Sequence, residues 1–334
     1  MFKLVANEIF KTVFRLRTYI SMIMIMVIAG SMALLPIFFT DSSVSKSFSG
    51  ENWKQETANH VEQLERTRNV ALKNMEKEAD PESQESVINQ AEYNELSEEI
   101  DKLNYSMEHE IPPVSTNNLF NNLISASKSS TLITVFTVII AASIISDEYK
   151  YGTINLLLIR PVGRTKILFS KFLTISACIG VFMLLAILST LFVSVFTSDM
   201  NQSLSYIYTS SDGNIHHDNF TFLLGQNLLA QFFSILIIAL IPFSLSIIIP
   251  SQSLIISLTL AIYFSADPVF IFLEQYTDAV KFLWFPYWDL NQFLPPYQDP
   301  SNGTMTTALV VNSLYSIPFI LLAFYMFRRK DILI

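Results

Sequence analysis

The sequence predicts an all-α integral membrane protein of six transmembrane helices, with a soluble helical hairpin inserted after the first. Three observations carry this prediction. Hydrophobic residues make up 51% of the 334 positions and charged ones only 15%, against about a quarter charged in soluble domains. Several apolar stretches reach the roughly 20 residues that cross about 30 Å of hydrocarbon. The formal charge of −8 is unevenly placed, with 17 acidic and 8 basic residues between positions 41 and 130 and a nearly neutral remainder. Disorder and collagen are excluded by composition. A disulfide scaffold is excluded because Cys178 is the only cysteine.

The chain divides into 1–40, 41–130 and 131–334. Stretch 19–39 is free of charge. It is too long for the apolar core of a signal peptide and lacks a small-residue cleavage site before Pro36, so it reads as a retained span. The second span, 131–146, is short and extends back through Leu119 and Leu123 past Lys128. Spans 172–196, 228–249 (with Pro242 inside) and 308–327 are long enough. The fifth, 253–264, is short and meets an expected break at Ala266-Asp267-Pro268. Basic residues orient the spans. Lys3, Lys11, Arg15 and Arg17 precede the first, Lys150, Arg160, Arg164, Lys166 and Lys171 join the second and third, and Arg328-Arg329-Lys330 follow the last. Six spans with both termini cytoplasmic put every basic cluster inside and residues 41–130 outside the cell membrane.

Within the insert, Tyr93, Leu96, Ile100, Leu103 and Met107 keep the 3, 4, 3, 4 spacing of a coiled-coil seam. Val61, Leu64, Leu72 and Met75 form a second stripe, interrupted at Arg68. Asp80-Pro81 falls between the two stretches, where a turn is expected. The pattern predicts an extracellular hairpin of two helical arms. It reads either as a solvated strut or as a surface for an outside peptide or protein, a charge run being more commonly a solvated face.

The densest motif is Asp147-Glu148-Tyr149-Lys150-Tyr151-Gly152-Thr153, followed by a Leu-rich run to Arg160-Pro161 and then Arg164-Thr165-Lys166. Gly152 and Thr153 are start signals and Pro161 a stop signal for a short amphipathic helix. In this order, between two spans, the residues resemble the permease subunits of type 2 ABC transporters. Ala6-Asn7-Glu8 and Arg15-Leu16-Arg17-Thr18-Tyr19 look like that family's elbow helix. The resemblance covers 1–41 and 130–334. It implies a coupling helix at about 150–160, seated on a separate ATPase subunit through Glu148, Tyr149, Gly152, Thr153, Arg160 and Arg164, with Arg15 and Arg17 anchoring the elbow helix at the membrane. It further implies two ATPase copies that hold ATP and Mg, a second permease, identical or homologous, and contact with membrane lipids. The long insert departs from family members with a short first outer loop, which leaves the substrate open. Re-entrant helices before the last span would fall at 268–290, with Trp284, Tyr287 and Trp288 as interfacial anchors; an aromatic belt without a gating role fits the same residues.

The chain has no GxxxxGK[ST], HExxH or CxxC, so it is expected to hold no nucleotide, metal or catalytic residue of its own. Nucleic acid is not an expected partner. His216-His217 read as a solvated loop rather than a metal site. Asp267 is the one carboxylate expected within a span, as a functional group or as an interfacial helix cap. Expected substrates are lipid-like, amphipathic or antimicrobial-peptide compounds, because the spans carry so few charges. The alternative is a membrane-anchored sensor or scaffold whose acidic hairpin binds an outside partner.

Overall fold

The computed structural model describes residues 1–34, 52–77, 84–113, 119–126, 129–153, 162–197, 205–210, 213–295 and 303–329. They are mostly helical and fall into two compact units, one of Met1–Ala33, Leu123–Val193 and Gln226–Ile334, the other of Leu34–Asn122 and Ser194–Gly225. Five helices are long and apolar enough to cross a membrane: α6 (Ser130–Lys150), α7 (Arg164–Thr197), α8 (Phe220–Ile248), α9 (Gln252–Glu274) and α10 (Met305–Arg329). A sixth span arises if α1 (Phe2–Val13) and α2 (Leu16–Met32) are counted together, although the pair is bent by 74°.

In the first unit α6 is the central element, with 67% of its apolar window buried, against 17% for α9 and α10. Its middle carries Ala141, Ala142 and Ser143, all at most 1% exposed. Small side chains let neighbouring backbones approach where lipid supplies no hydrophobic drive between helices. Around it pack Ile25 and Ala29 of α2, Ile175 and Phe182 of α7, and Phe243 of α8. A Cβ at Gly30 of α2 would lie 3.4 Å from Val193 Cγ2 of α7, within van der Waals contact, so the two helices are close there.

Three expectations are corrected. The second span does not extend back through Leu119: that residue opens a separate short helix, α5 (Leu119–Ala126), and α6 runs forward through Asp147 and Glu148 instead. The third helix begins at Arg164, which places Lys171 inside it. Finally, there is no break at Pro268, because α9 continues through it. A proline costs one backbone hydrogen bond, but away from water a helix still satisfies more backbone groups than any broken alternative. The expected re-entrant pair therefore does not form as two α-helices. Beyond α9 come three 3-10 turns, Asp278–Phe282, Phe285–Tyr287 and Leu290–Phe293. Trp284 stacks on Tyr315 and donates to Asn312 Oδ1 at 3.0 Å, and Asn312 donates to Tyr287 O.

The second unit holds α3 (Trp53–Lys77) and α4 (Gln84–Glu108), two paired arms of 25 residues each. Val61, Leu64, Ile100 and Leu103 form their buried seam. The stripe on α3 differs from the expected one: Ala71 is 3% exposed while Leu72 is 36% exposed. Thr57, Val61, Leu64, Arg68 and Ala71 keep one 3–4 rhythm, so the seam passes through Arg68 rather than around it. Asp80-Pro81 lies outside the described residues. The unit also contains strands, so the fold is not purely helical. β1 (Ser205–Thr209) pairs antiparallel with β2 (Ile215–Asn219) in the segment expected to be loop, with Tyr208 opposite His216. Tyr105 of α4 meets His217 Nδ1 at 3.0 Å, and Thr209 donates to Glu98 at 2.7 Å. Burial, then the bond to the Asp218 carboxylate, pushes the Tyr208 hydroxyl up to about 12. Glu98 is held below the usual carboxylate range by hydrogen bonds from Lys102 and Thr209.

Replacing Ile100, 2% exposed, by Ala should destabilise the helical pair by about 2–5 kcal/mol. Limited proteolysis of the full chain should then cut within α3 and α4 sooner. Because the folded Glu98 carboxyl titrates below its unfolded value, its contribution is present above the unfolded pKa and lost as pH falls through the folded one. Protection of the β1 amides from hydrogen exchange should fall across that window, and Glu98→Gln should remove the dependence.

Candidate functional site

Asp147 and Glu148 are the last acidic residues of α6, and in a membrane span they need partners. Both are supplied with cations. Arg15 and Arg17, flanking the start of α2, donate to Asp147 Oδ2. Lys11 of α1 donates to Glu148 Oε1. Lys171 of α7, 1% exposed, donates to Glu8 Oε2 and to the Ile144 carbonyl, each at 3.0 Å, and lies 3.4 Å from Glu148 Oε1. Glu148 itself is 3% exposed and also accepts a hydrogen bond from Thr153. The cluster thus joins the N-terminal helix pair, the end of α6 and the start of α7 with four cations and three carboxylates.

Local sequence explains each placement. The α1–α2 bend is closed by Thr18, buried, donating to the Thr12 carbonyl at 2.7 Å. This turns Arg15 and Arg17 toward α6, while Phe10 and Phe14, with ring centroids 4.2 Å apart, stay on the exposed side. At the end of α6, Tyr151 N–H bonds Asp147 O and Gly152 N–H bonds Tyr149 O. Gly152 has φ +66, a left-handed conformation that disfavours a Cβ. The helix ends there, and Thr153 reaches back to Glu148.

The residues expected at a coupling surface are therefore distributed differently. Glu148 is turned into the protein, Gly152 lies just past the end of α6, and Thr153 donates to Glu148. Tyr149 packs against the main core. Arg164 donates to the Arg328 carbonyl at 2.8 Å, linking the start of α7 to the end of α10 at this same end of the unit. Arg160 and the expected coupling helix lie outside the described residues. Arg15 and Arg17 are tied to Asp147 rather than left for lipid phosphates. Sequence reasoning missed Glu8, Lys11, Asp147 and Lys171 as members of one site. The signal was present in Lys171, which counted as a flanking charge only because the third span was started at 172, whereas the helix begins at Arg164.

Charges out of water are costly, and removing one partner of a buried pair costs about 3–5 kcal/mol. Lys171→Met should lower the unfolding temperature of the full chain in detergent. Lys171→Met combined with Glu148→Gln should recover part of that loss, a coupling of about 0.5–3 kcal/mol; additive losses would show that the two groups do not interact.

Residues 84–333 match the protein family described as "Protein of unknown function (DUF2705)". This range includes all five candidate spans from α6 onward, but not the basic residues of α1 and α2. The chain is also similar to "Uncharacterized protein YhcI" of Bacillus subtilis (strain 168), with 29% identity over 335 residues, 99% of each chain. By its match over well more than half its length, the chain belongs to the DUF2705 family.

Proposed function

We propose that this protein is the permease subunit of an ATP-driven transporter of the type 2 ABC class, an exporter of a lipid-like, amphipathic or antimicrobial-peptide compound. It works as a six-span protein of the cell membrane with both termini cytoplasmic and residues 41–130 extracellular. Two copies of a separate ATPase subunit bind and hydrolyse ATP with Mg, and a second permease, identical or homologous, completes the path.

One observation carries this reading. The loop after α6, which bears the family-like motif, is anchored at its stem by Glu148–Thr153 and by the cluster that joins α1, α2 and α7. A push on residues 154–160 would reach the first and third spans together, because buried ion pairs transmit a rigid displacement rather than absorb it. Apart from Asp267 and Glu274 of α9, the charges of the candidate spans gather at this one end, which supports a drive applied from outside the membrane domain over coupling to ions carried through it.

Affinity purification of the tagged chain from native membranes should retain a stoichiometric ATPase subunit, and Arg160→Glu should lose it. Recovery of an extracellular protein with no ATPase would favour instead a membrane-anchored sensor or scaffold acting through the acidic hairpin.

A further inference from the structure

The last turns of α8 and α10 border an open groove of ≈ 410 Å³, lined by Ile247, Ile248, Tyr325, Met326 and Arg329. Ile248 is the last residue of α8 and Arg329 the last of α10. Ile248 and Tyr325 are 45% and 54% exposed, so the groove offers uncovered apolar and aromatic surface with one cation among it.

The positive charge here has no acidic counterpart in the helices that end or begin beside it. α8 carries no charged residue at all, and Arg328 and Arg329 are the only ones in α10. α9 starts at Gln252, and its first carboxylate is Asp267, about 22 Å farther along the helix at the usual rise. Among the described residues no carboxylate pairs with the side chain of Arg328 or Arg329. Arg164, whose guanidinium donates to the Arg328 carbonyl at 2.8 Å, brings a third cation to the same end. The Arg329 guanidinium lies over the Tyr325 ring, 4.7 Å from its centroid. Stacking of this kind orients the guanidinium but uses none of its N–H donors, which point outward along its edge.

An occupant that suits this groove carries an apolar chain for Ile248, Tyr325 and Met326 and an anion for Arg329 within one molecule. The groove also lies where the apolar run of two candidate spans gives way to charge, the level of lipid head groups. We propose that it binds a phospholipid of net negative charge, with an acyl chain along Ile248 and Met326 and its phosphate on the stacked Arg329 guanidinium. The guanidinium fork matches two phosphate oxygens. Choline and ethanolamine heads present the same phosphate beside an ammonium, which Arg328 and Arg164 repel, so the site selects heads without a cation. The bound lipid fills the space between the last turns of α8 and α10 and steadies the end to which Arg164 ties α7. Binding needs no ATPase, and only the leaflet that supplies the lipid rests on the topology proposed above.

The test uses the purified, delipidated full chain in a neutral detergent. It is titrated by native mass spectrometry with phosphoglycerol and phosphocholine lipids of equal chain length and with free glycerol phosphate. The first phosphoglycerol lipid should bind at least about fivefold tighter than its choline counterpart, the worth of one basic residue at an anionic surface. Arg329→Gln should weaken it about tenfold. Lys166→Gln removes an exposed charge of α7 outside the groove and should leave binding within about twofold, because a solvated charge is screened. Ile248→Trp should weaken binding by filling the groove while every charge is kept. Ile248 and Arg329 are both exposed, so either variant can carry the test if the other fails to fold. Equal binding of the two lipids, an unaffected Arg329→Gln or Ile248→Trp, or an equal loss on Lys166→Gln would each overturn the proposal. Glycerol phosphate that binds as tightly as the lipid would overturn it too, by showing that the tail contributes nothing. Lipid binding and ATPase capture are separate measurements, and the failure of one leaves the other standing.

Discussion

The architecture of the helical unit depends on the neutralisation of Asp147 and Glu148. A carboxylate at the end of an apolar helix would ordinarily end the span or draw in water. Here the cations come from three other elements, so the helix can run 21 residues from Ser130 to Lys150 with its acidic end buried. The same requirement fixes where α1 and α2 sit, because Lys11, Arg15 and Arg17 must all reach that end. It also fixes the register of α7, whose Lys171 has to arrive beside Glu8 and Glu148. Hydrophobic packing fills the space between the helices, but it is non-directional and would tolerate a shifted register that the ion pairs do not.

The two ends of the unit are thus chemically different. One end holds paired, buried charges and the end of α6 at Gly152, an arrangement suited to rigid connection. The other holds a cavity lined by Asp267, Asp289 and the aromatic residues Tyr263, Phe285 and Trp288. Between them lies the small-residue middle of α6, where Ala141 and Ala142 are buried and the hydroxyls of Thr137, Ser143 and Ser146 donate to carbonyls of their own helix.

The acidic unit follows ordinary soluble physics. Its helices are polar on their outer faces and hold together through a narrow seam of Val61, Leu64, Ile100 and Leu103. The β-hairpin that packs beside α4 was not legible, since its strands are only five residues each and Ile215–Asn219 is polar after its first residue, which resembles a polar loop.

The sequence by itself determined the class of the protein, the presence of its apolar helices, the paired arms of the insert and the basic residues near the ends of the spans. These follow from composition and periodicity, which reflect the solvent around each segment. Only the tertiary structure decided that α9 runs through Pro268, that α6 extends past Asp147, and that Glu8, Lys11, Arg15, Arg17 and Lys171 converge on two carboxylates. A charged residue looks the same in a sequence whether water or a distant side chain solvates it. Its place in or out of a span is set by partners as many as 163 residues away, as for Lys171 and Glu8, and only folding brings them together.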